Sequence, residues 1–201
     1  MQVFKIYPQG FAANSYLLTQ DEKTAVVIDP AQPRIADEAK RRGLTVTHVL
    51  LTHGHFDHIG GCAALQAEGA KVGCLAKEAP LALGKNNMAD YFGGHVPPFS
   101  VDFTFGDGDI LSLNGMQFLV IATPGHTAGG ACFCVGDHLF TGDTLFAGDI
   151  GRSDLPTGSG AQLTESVRKL YAIQGDFTVC PGHGEDTTLE YERHNNGWVR
   201  C

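Results

Sequence analysis

The sequence predicts an α/β (α+β) fold in which two β-sheets pack face to face with helices on the outside. Three observations point there. Segments of strand and helix character follow one another in the order ββ…αβαβ and then β…βαβ. Apolar residues make up 43% of the chain and glycine occurs 26 times in 201 residues, which suits a compact core crossed by many tight turns. No stretch rich in Ser, Pro or charge divides the chain, so residues 1–201 are expected to form one domain.

Val3–Tyr7, Ser15–Thr19 and Thr24–Asp29 are short apolar or β-branched runs, punctuated by Gly10 and Asp21-Glu22-Lys23 as strands are. Arg34–Arg42 has helical composition and stops at Gly43. Val46–Leu51 is an unbroken β-branched and Leu run, the pattern of a strand buried on both faces. Ile59–Glu68 reads as a helix stopped by Gly69, and Lys71–Leu75 as the next strand. Residues 84–100 hold Gly, Asn and Pro97-Pro98 and read as a loop, a candidate flap over a site. Strands resume at Val101–Phe105, Asp109–Leu113, Met116–Ala122, Gly130–Val135 and His138–Thr141. Ala161–Ile173 is the last helix the pattern predicts, followed by a strand at Phe177–Cys180.

The 14 Lys and Arg against 22 Asp and Glu leave a formal charge of −8, which argues against a sequence-independent grip on nucleic acid. Lys40-Arg41-Arg42 is the densest basic stretch and suits the C-terminal turn of a helix. No window approaches the ~18 apolar residues of a membrane-spanning helix. Met1–Pro8 lacks the basic-then-apolar pattern of an export signal, so a cytoplasmic protein without a membrane partner is expected. Cys62, Cys74, Cys132, Cys134, Cys180 and Cys201 are then expected to be reduced thiols. Cys132 and Cys134 fall on one face of a strand, with no second thiol pair nearby in sequence to complete a metal site.

The chemistry is concentrated in Thr52-His-Gly-His-Phe-Asp-His58, which places His53, His55, Asp57 and His58 just after a buried strand. Imidazole nitrogen and carboxylate oxygen are the ligands Zn²⁺ takes when water must also occupy a coordination position. A loop leaving a strand end can aim four such side chains at one point, as no regular helix or strand could. A merely His-rich surface loop would leave the other histidines scattered. Instead His126 lies in Thr-Pro-Gly-His-Thr, Asp143 in Phe-Thr-Gly-Asp-Thr and His183 in Cys-Pro-Gly-His-Gly, each after an apolar run and a turn residue.

This His-x-His-x-Asp-His motif, with the later His, Asp and His in that order, resembles the metallo-β-lactamase fold superfamily along essentially the whole chain. Thr141-Gly-Asp-Thr-Leu-Phe146, Gly151-Arg-Ser-Asp-Leu-Pro156 and the tail from Pro181-Gly-His-Gly to Thr188-Leu-Glu-Tyr-Glu-Arg-His194 are similar to the small hydroxyacylglutathione hydrolase (glyoxalase II)-like subgroup. The resemblance implies an αββα sandwich of mixed sheets with two divalent metal ions at one edge, zinc ahead of iron or manganese. His53, His55 and His126 would hold the first metal, Asp57, His58 and His183 the second, and Asp143 would bridge them. It further implies a metal-bridging hydroxide, oriented by Asp57, that hydrolyses an acyl thioester of the S-lactoylglutathione type. Longer glyoxalase II enzymes add a C-terminal helical domain that supplies much of the glutathione contact, and a chain ending at Cys201 is expected to lack it.

Arg152 stands where the longer enzymes resemble Gly-Lys and grip a substrate carboxylate; it suits either that role or an ion pair with Asp154. His48 and His138 read as surface groups, His138 in a hairpin turn, and His194 as packing for the C-terminus. His95, in the 84–100 loop, and Phe11 and Asn14, in the first loop, are weaker candidates for the site wall. The alternatives are an iron-dependent persulfide dioxygenase, which keeps the same motif but uses one iron, and a lactonase on the same fold.

Overall fold

Each half of the chain builds one mixed sheet. The computed structural model describes residues 1–200. The first sheet contains β1 (Gln2–Ile6), β2 (Ser15–Thr19), β3 (Thr24–Ile28), β4 (Thr45–Leu50), β5 (Lys71–Leu75) and β6 (Phe103–Phe105), side by side in that order. β1 to β3 are antiparallel neighbours, whereas β3 to β6 run parallel. The second half contributes β7 (Ile110–Leu113), β8 (Met116–Ala122), β9 (Ala131–Val135), β10 (His138–Gly142), a small hairpin of β11 (Leu145–Phe146) and β12 (Asp149–Ile150), then β13 (Thr178–Pro181) and β14 (Thr187–Thr188). The second sheet has the order β14-β13-β10-β9-β8-β7, and only the β10–β13 pair is parallel.

Alternation along the strands explains the layering. Leu17, Val27 and Val49 point one way into a cluster with Ile35, Ala39, Ile59 and Leu65, which lie on helices outside the first sheet. Leu18, Val26, Ile28 and Leu50 point the other way and meet Phe118, Phe133 and Phe140 between the sheets. A third cluster joins Cys132, Leu139 and Val179 to Val167, Leu170 and Leu189 on helices outside the second sheet. The helices are α1 (Arg34–Arg41), α2 (Phe56–Ile59), α3 (Cys62–Ala67), α4 (Ala79–Ala82), α5 (Ala89–Phe92), α6 (Gly160–Tyr171) and α7 (Leu189–Asn195). Burying each such Leu or Phe is worth about 1.5–3 kcal/mol, so the two sheets are held mainly by the apolar layer between them. The architecture is the αββα sandwich.

Several local expectations are corrected. The helix expected at Ile59–Glu68 is α3 preceded by the end of α2: the Gly61 N–H donates to the Pro30 carbonyl rather than back to that of Asp57, which accepts from Ala13, and a Cβ at Gly60 or Gly61 would lie 2.6 Å or 2.5 Å from the carbonyl oxygen of Ala31 or Gln32. These glycines let the metal-motif loop press against the loop after β3. Residues 84–100 are only partly loop: a 3₁₀ turn at Lys85–Asn87 and α5 meet at Met88, whose φ is +70°. Helix α7 was not expected; the Thr188 hydroxyl caps the Tyr191 N–H, and buried Glu192 accepts from Gly148 N–H, the Thr187 hydroxyl and the Asn196 amide. His138 opens β10 rather than a turn, and His48 lies within β4, half-buried against Phe103. Cys62, Cys74, Cys132, Cys134 and Cys180 are free thiols; Cys201 lies outside the described residues. Among the described residues no helix is long and apolar enough to cross a membrane.

Candidate metal centre

Four strands end at one edge of the sandwich: β4 at Leu50, β8 at Ala122, β10 at Gly142 and β13 at Pro181. The loops that follow carry all seven residues singled out from the sequence as metal ligands, and the structure brings them together. His183 Nε2 lies 3.2 Å from Asp57 Oδ2 and 3.6 Å from Asp143 Oδ2. His58 Nε2 lies 3.3 Å from Asp143 Oδ1, and His126 Nε2 lies 3.5 Å from Asp143 Oδ2. His55 Nδ1 and His126 Nε2 are 2.9 Å apart, and the His53 ring sits 4.0 Å from the His58 ring and 4.7 Å from the His126 ring. Asp143 thus stands between two groups, His53/His55/His126 and Asp57/His58/His183, each with ligand atoms within 4.8 Å of one another.

The close approach depends on glycine. A Cβ at Gly182 would lie 2.3 Å from Asp143 Oδ1 and 2.7 Å from His58 Cε1. One at Gly151 would lie 1.8 Å from the Asp143 carbonyl oxygen. No side chain fits at either point while the cluster keeps its shape.

The donor set fits cations. Buried polar groups are ordinarily hydrogen-bonded, yet His53 Nε2, His55 Nε2, His58 Nε2 and Asp143 Oδ1 are buried with no such partner. The far side of three rings is held instead. His126 Nδ1 donates to the Arg152 carbonyl at 2.7 Å, His58 Nδ1 faces Asp29 Oδ2 at 2.8 Å, and His53 Nδ1 faces the Thr52 hydroxyl at 3.1 Å. That arrangement aims the opposite nitrogen of each ring inward, as partners behind metal-binding imidazoles do.

The charges agree. Burial and the neighbouring imidazoles push His53 well below the ordinary histidine value and His55 down to about 4, so both rings are neutral with a free lone pair. Burial opposes ionisation of Asp143, but His58, His126 and His183 outweigh it and hold its carboxyl well below the usual range. Burial likewise opposes ionisation of Asp57, and His58 and His183 hold it lowered. Burial disfavours charge on His58 too, yet Asp143, Asp57 and Asp29 pull it well upward. Without a cation, a proton on His58 is the positive charge these carboxylates demand.

Two buried carboxylates that contact the ligand loops escaped the sequence reading. Asp29, the first residue after β3, adopts φ +50° and accepts from the Thr52 N–H at 2.8 Å and the Thr52 hydroxyl at 2.5 Å as well as facing His58. Its proximity to His53 and His58 would also permit ligation, but both its oxygens are already engaged, which makes it a support for His58. Buried Glu78 accepts the Gly54 N–H on one oxygen and the Gly129 N–H on the other, each at 2.9 Å. A signal for Asp29 was present: an acidic residue ends a buried strand that neighbours the strand leading to the motif.

Arg152 donates from Nε and Nη2 to Asp154 at 2.7 and 2.8 Å, the ion pair of the two sequence readings, and it also lines the cavity over the centre. Phe11 lines that cavity too, whereas Asn14 is buried and donates to the Pro181 and Gly184 carbonyls. His95 does not line it. His194 is exposed and paired with Glu190, not packed under the C-terminus.

Comparison with known proteins agrees with this geometry. Residues 8–183 match the family model of the Metallo-beta-lactamase superfamily. The chain is 36% identical over 199 residues to hydroxyacylglutathione hydrolase GloC of Haemophilus influenzae, covering 94% of each chain. Among solved structures it is similar to BLEG-1 B3 metallo-beta-lactamase, at TM-score 0.89 and 30% identity over all of both chains. It is similar also to TTHA1623 in a di-iron-bound form, at TM-score 0.87 and 34% identity, covering 98% of this chain and all of that one. A metallohydrolase site of glyoxalase II-like pattern on an αββα sandwich, matched by family model, sequence and fold alike, means that the chain belongs to the metallo-beta-lactamase superfamily.

Proposed function

We propose that this protein is a binuclear metallohydrolase that cleaves acyl thioesters of the S-lactoylglutathione type. One observation carries the reading: seven ligand-type side chains from four strand ends converge, and buried atoms on four of them have no hydrogen-bond partner. His53, His55 and His126 would hold one cation, Asp57, His58 and His183 the other, and Asp143 both. Bound there, divalent cations bring the pKa of water down to about 7 and polarise a carbonyl. Water oxygen bonds to the thioester carbonyl carbon, the C–S bond breaks, and the thiolate leaves and takes up the proton that attack releases. The products are a carboxylic acid and a thiol.

The chain's own part is orientation. Asp57, held ionised beside His183, accepts a hydrogen bond from the attacking water and aims its lone pair at the carbonyl carbon. Thiolate is a good leaving group, so no dedicated general acid is required. The relative named hydroxyacylglutathione hydrolase supports the thioester, and the neighbour in di-iron form supports two metals. Zinc suits the nitrogen-rich first group, with iron or manganese as alternatives.

The test is metal analysis of purified protein beside turnover of S-lactoylglutathione and of a simple acyl thioester. Two metals per chain with hydrolysis is the expected result. One iron with oxygen uptake on glutathione persulfide would assign the chain to the dioxygenase chemistry instead.

A further inference from the structure

Resting on the thioesterase reading, we infer that this site prefers an apolar acyl group, an alkyl chain of several carbons or an aryl ring, over a small hydroxyacyl group. The cavity above the metal centre has a volume of about 940 Å³, room for an acyl group of several carbons together with the thiol that carries it. Its walls are largely hydrocarbon: Phe11, Phe56, Phe92, Phe146, Ile150 and Leu155 surround the inner rim formed by His55, Asp57, His126, Asp143 and His183.

These apolar side chains come from separate elements. Phe11 lies between β1 and β2, Phe56 on α2, Phe92 on α5, Phe146 and Ile150 on the β11–β12 hairpin, and Leu155 beyond it. The rings of Phe56 and Phe92 stack with centroids 5.6 Å apart, and Tyr91 meets Phe92 edge-on at 5.0 Å. A Cβ at Gly94 would lie 2.8 Å from the Phe56 ring, so the chain there is fitted to that ring.

Two aromatics that line this mouth, and Tyr91 packed edge-on against one of them, stay in water. Phe11 is 92% exposed, Tyr91 76% and Phe92 51%. Exposed apolar area grouped beside a reactive centre gains free energy when an apolar ligand covers it. The polar side offers little for a strongly charged ligand. Among the described residues lining the cavity, Arg152 is the one Lys or Arg, and Asp154 already occupies its guanidinium through two hydrogen bonds. Glutathione brings two carboxylates and an ammonium group, and this wall provides few partners for them. Recognition therefore falls on the acyl half.

The experiment holds the thiol constant. S-acetyl-, S-butanoyl-, S-hexanoyl- and S-lactoylglutathione are compared as substrates of the metal-loaded protein. Each methylene placed in an apolar pocket adds roughly severalfold, so kcat/KM should rise by about tenfold or more from acetyl to hexanoyl. The lactoyl ester should fall near the acetyl one. A flat or falling series, or a lactoyl ester that outruns hexanoyl, overturns the apolar preference while leaving the thioesterase reading intact.

Binding is measured separately with thioethers that cannot be hydrolysed. S-hexylglutathione should bind about tenfold or more tighter than S-methylglutathione by calorimetry, and Phe92→Ala should erase most of that difference. Equal affinities for the two thioethers would overturn the inference. Tighter hexyl binding without turnover of any thioester would instead overturn the thioesterase reading and retain the apolar site.

Discussion

Asp29 Oδ2 lies 2.8 Å from His58 Nδ1, while the other nitrogen of that ring faces Asp143 Oδ1 at 3.3 Å. The ring is thereby locked between an outer and an inner carboxylate. Parallel pairing of β3 and β4 sets Ile28 opposite Leu50, so the first residue past β3 meets the first turn of the motif loop. Asp29→Asn keeps the volume but removes the charge that anchors the Nδ1 proton. Metal affinity should fall about 10- to 100-fold, read by chelator competition. An unchanged affinity with an unchanged fold would show that His58 needs no such support.

Glu78 joins two ligand loops through backbone groups, Gly54 between His53 and His55 and Gly129 just past His126. Removing its carboxylate leaves two buried N–H donors without partners, each costing about 1–3 kcal/mol. Glu78→Ala should therefore lower stability in urea and also weaken metal binding, because both loops lose their common anchor. Glu78→Gln, which retains one acceptor oxygen, should lie between the two. A Gln variant as stable and as metal-binding as the parent would argue that the clamp contributes nothing beyond volume.

Gly182→Ala is expected to separate fold from site. Its Cβ would displace Asp143 Oδ1 and the His58 ring, which lie within 2.7 Å of it, but none of the three apolar layers. Circular dichroism should be close to that of the parent protein. Bound metal per chain should drop, with the Asp57/His58/His183 group affected first. Retention of full metal content would mean that the cluster tolerates a larger Asp143 shift than its packing suggests.

The same independence predicts the effect of chelation. The sandwich core contains no metal ligand, so the metal-free protein should remain folded while losing hydrolysis. Binding to the folded form alone still stabilises it, by about 4 kcal/mol at a thousandfold excess over Kd. For a chain of this size that corresponds to a rise in Tm of roughly 8–16 °C. Calorimetry with and without added metal would read it, and coincident melting curves would contradict a site of this affinity.

What the sequence made legible follows from how each feature is encoded. Ligand loops after buried strands announce themselves, because the strands are apolar runs and the ligands are rare residue types held at fixed spacing. Asp29 was read only as the end of a strand; its role depends on which strand lies beside β3, which no local pattern states. Glu78 is harder still, since Gly54 and Gly129 come to it from distant parts of the chain. Helix α7 is seven residues long and α5 four, too short for hydrophobic periodicity to register. Their stability comes from contacts such as Glu192 with Gly148, which exist only once the fold has formed.

Alkaline pH should destabilise the sandwich itself. Burial raises the thiols of Cys62, Cys74, Cys132 and Cys180, that of Cys74 to about 12 and that of Cys132 to about 11. In the unfolded chain a thiol titrates near its ordinary value, about 8.5. Above that pH the unfolded state binds fewer protons than the folded one, so stability falls as pH rises. The stabilisation from each neutral buried thiol is complete below about pH 8.5 and is lost progressively toward its raised folded value, at about 1.4 kcal/mol per pH unit per thiol. Urea midpoints of the metal-free protein at pH 8 and pH 10 should differ accordingly. Cys74→Ala should flatten the slope even where it lowers stability at pH 8; a slope unaltered by that substitution would sink the assignment to this thiol.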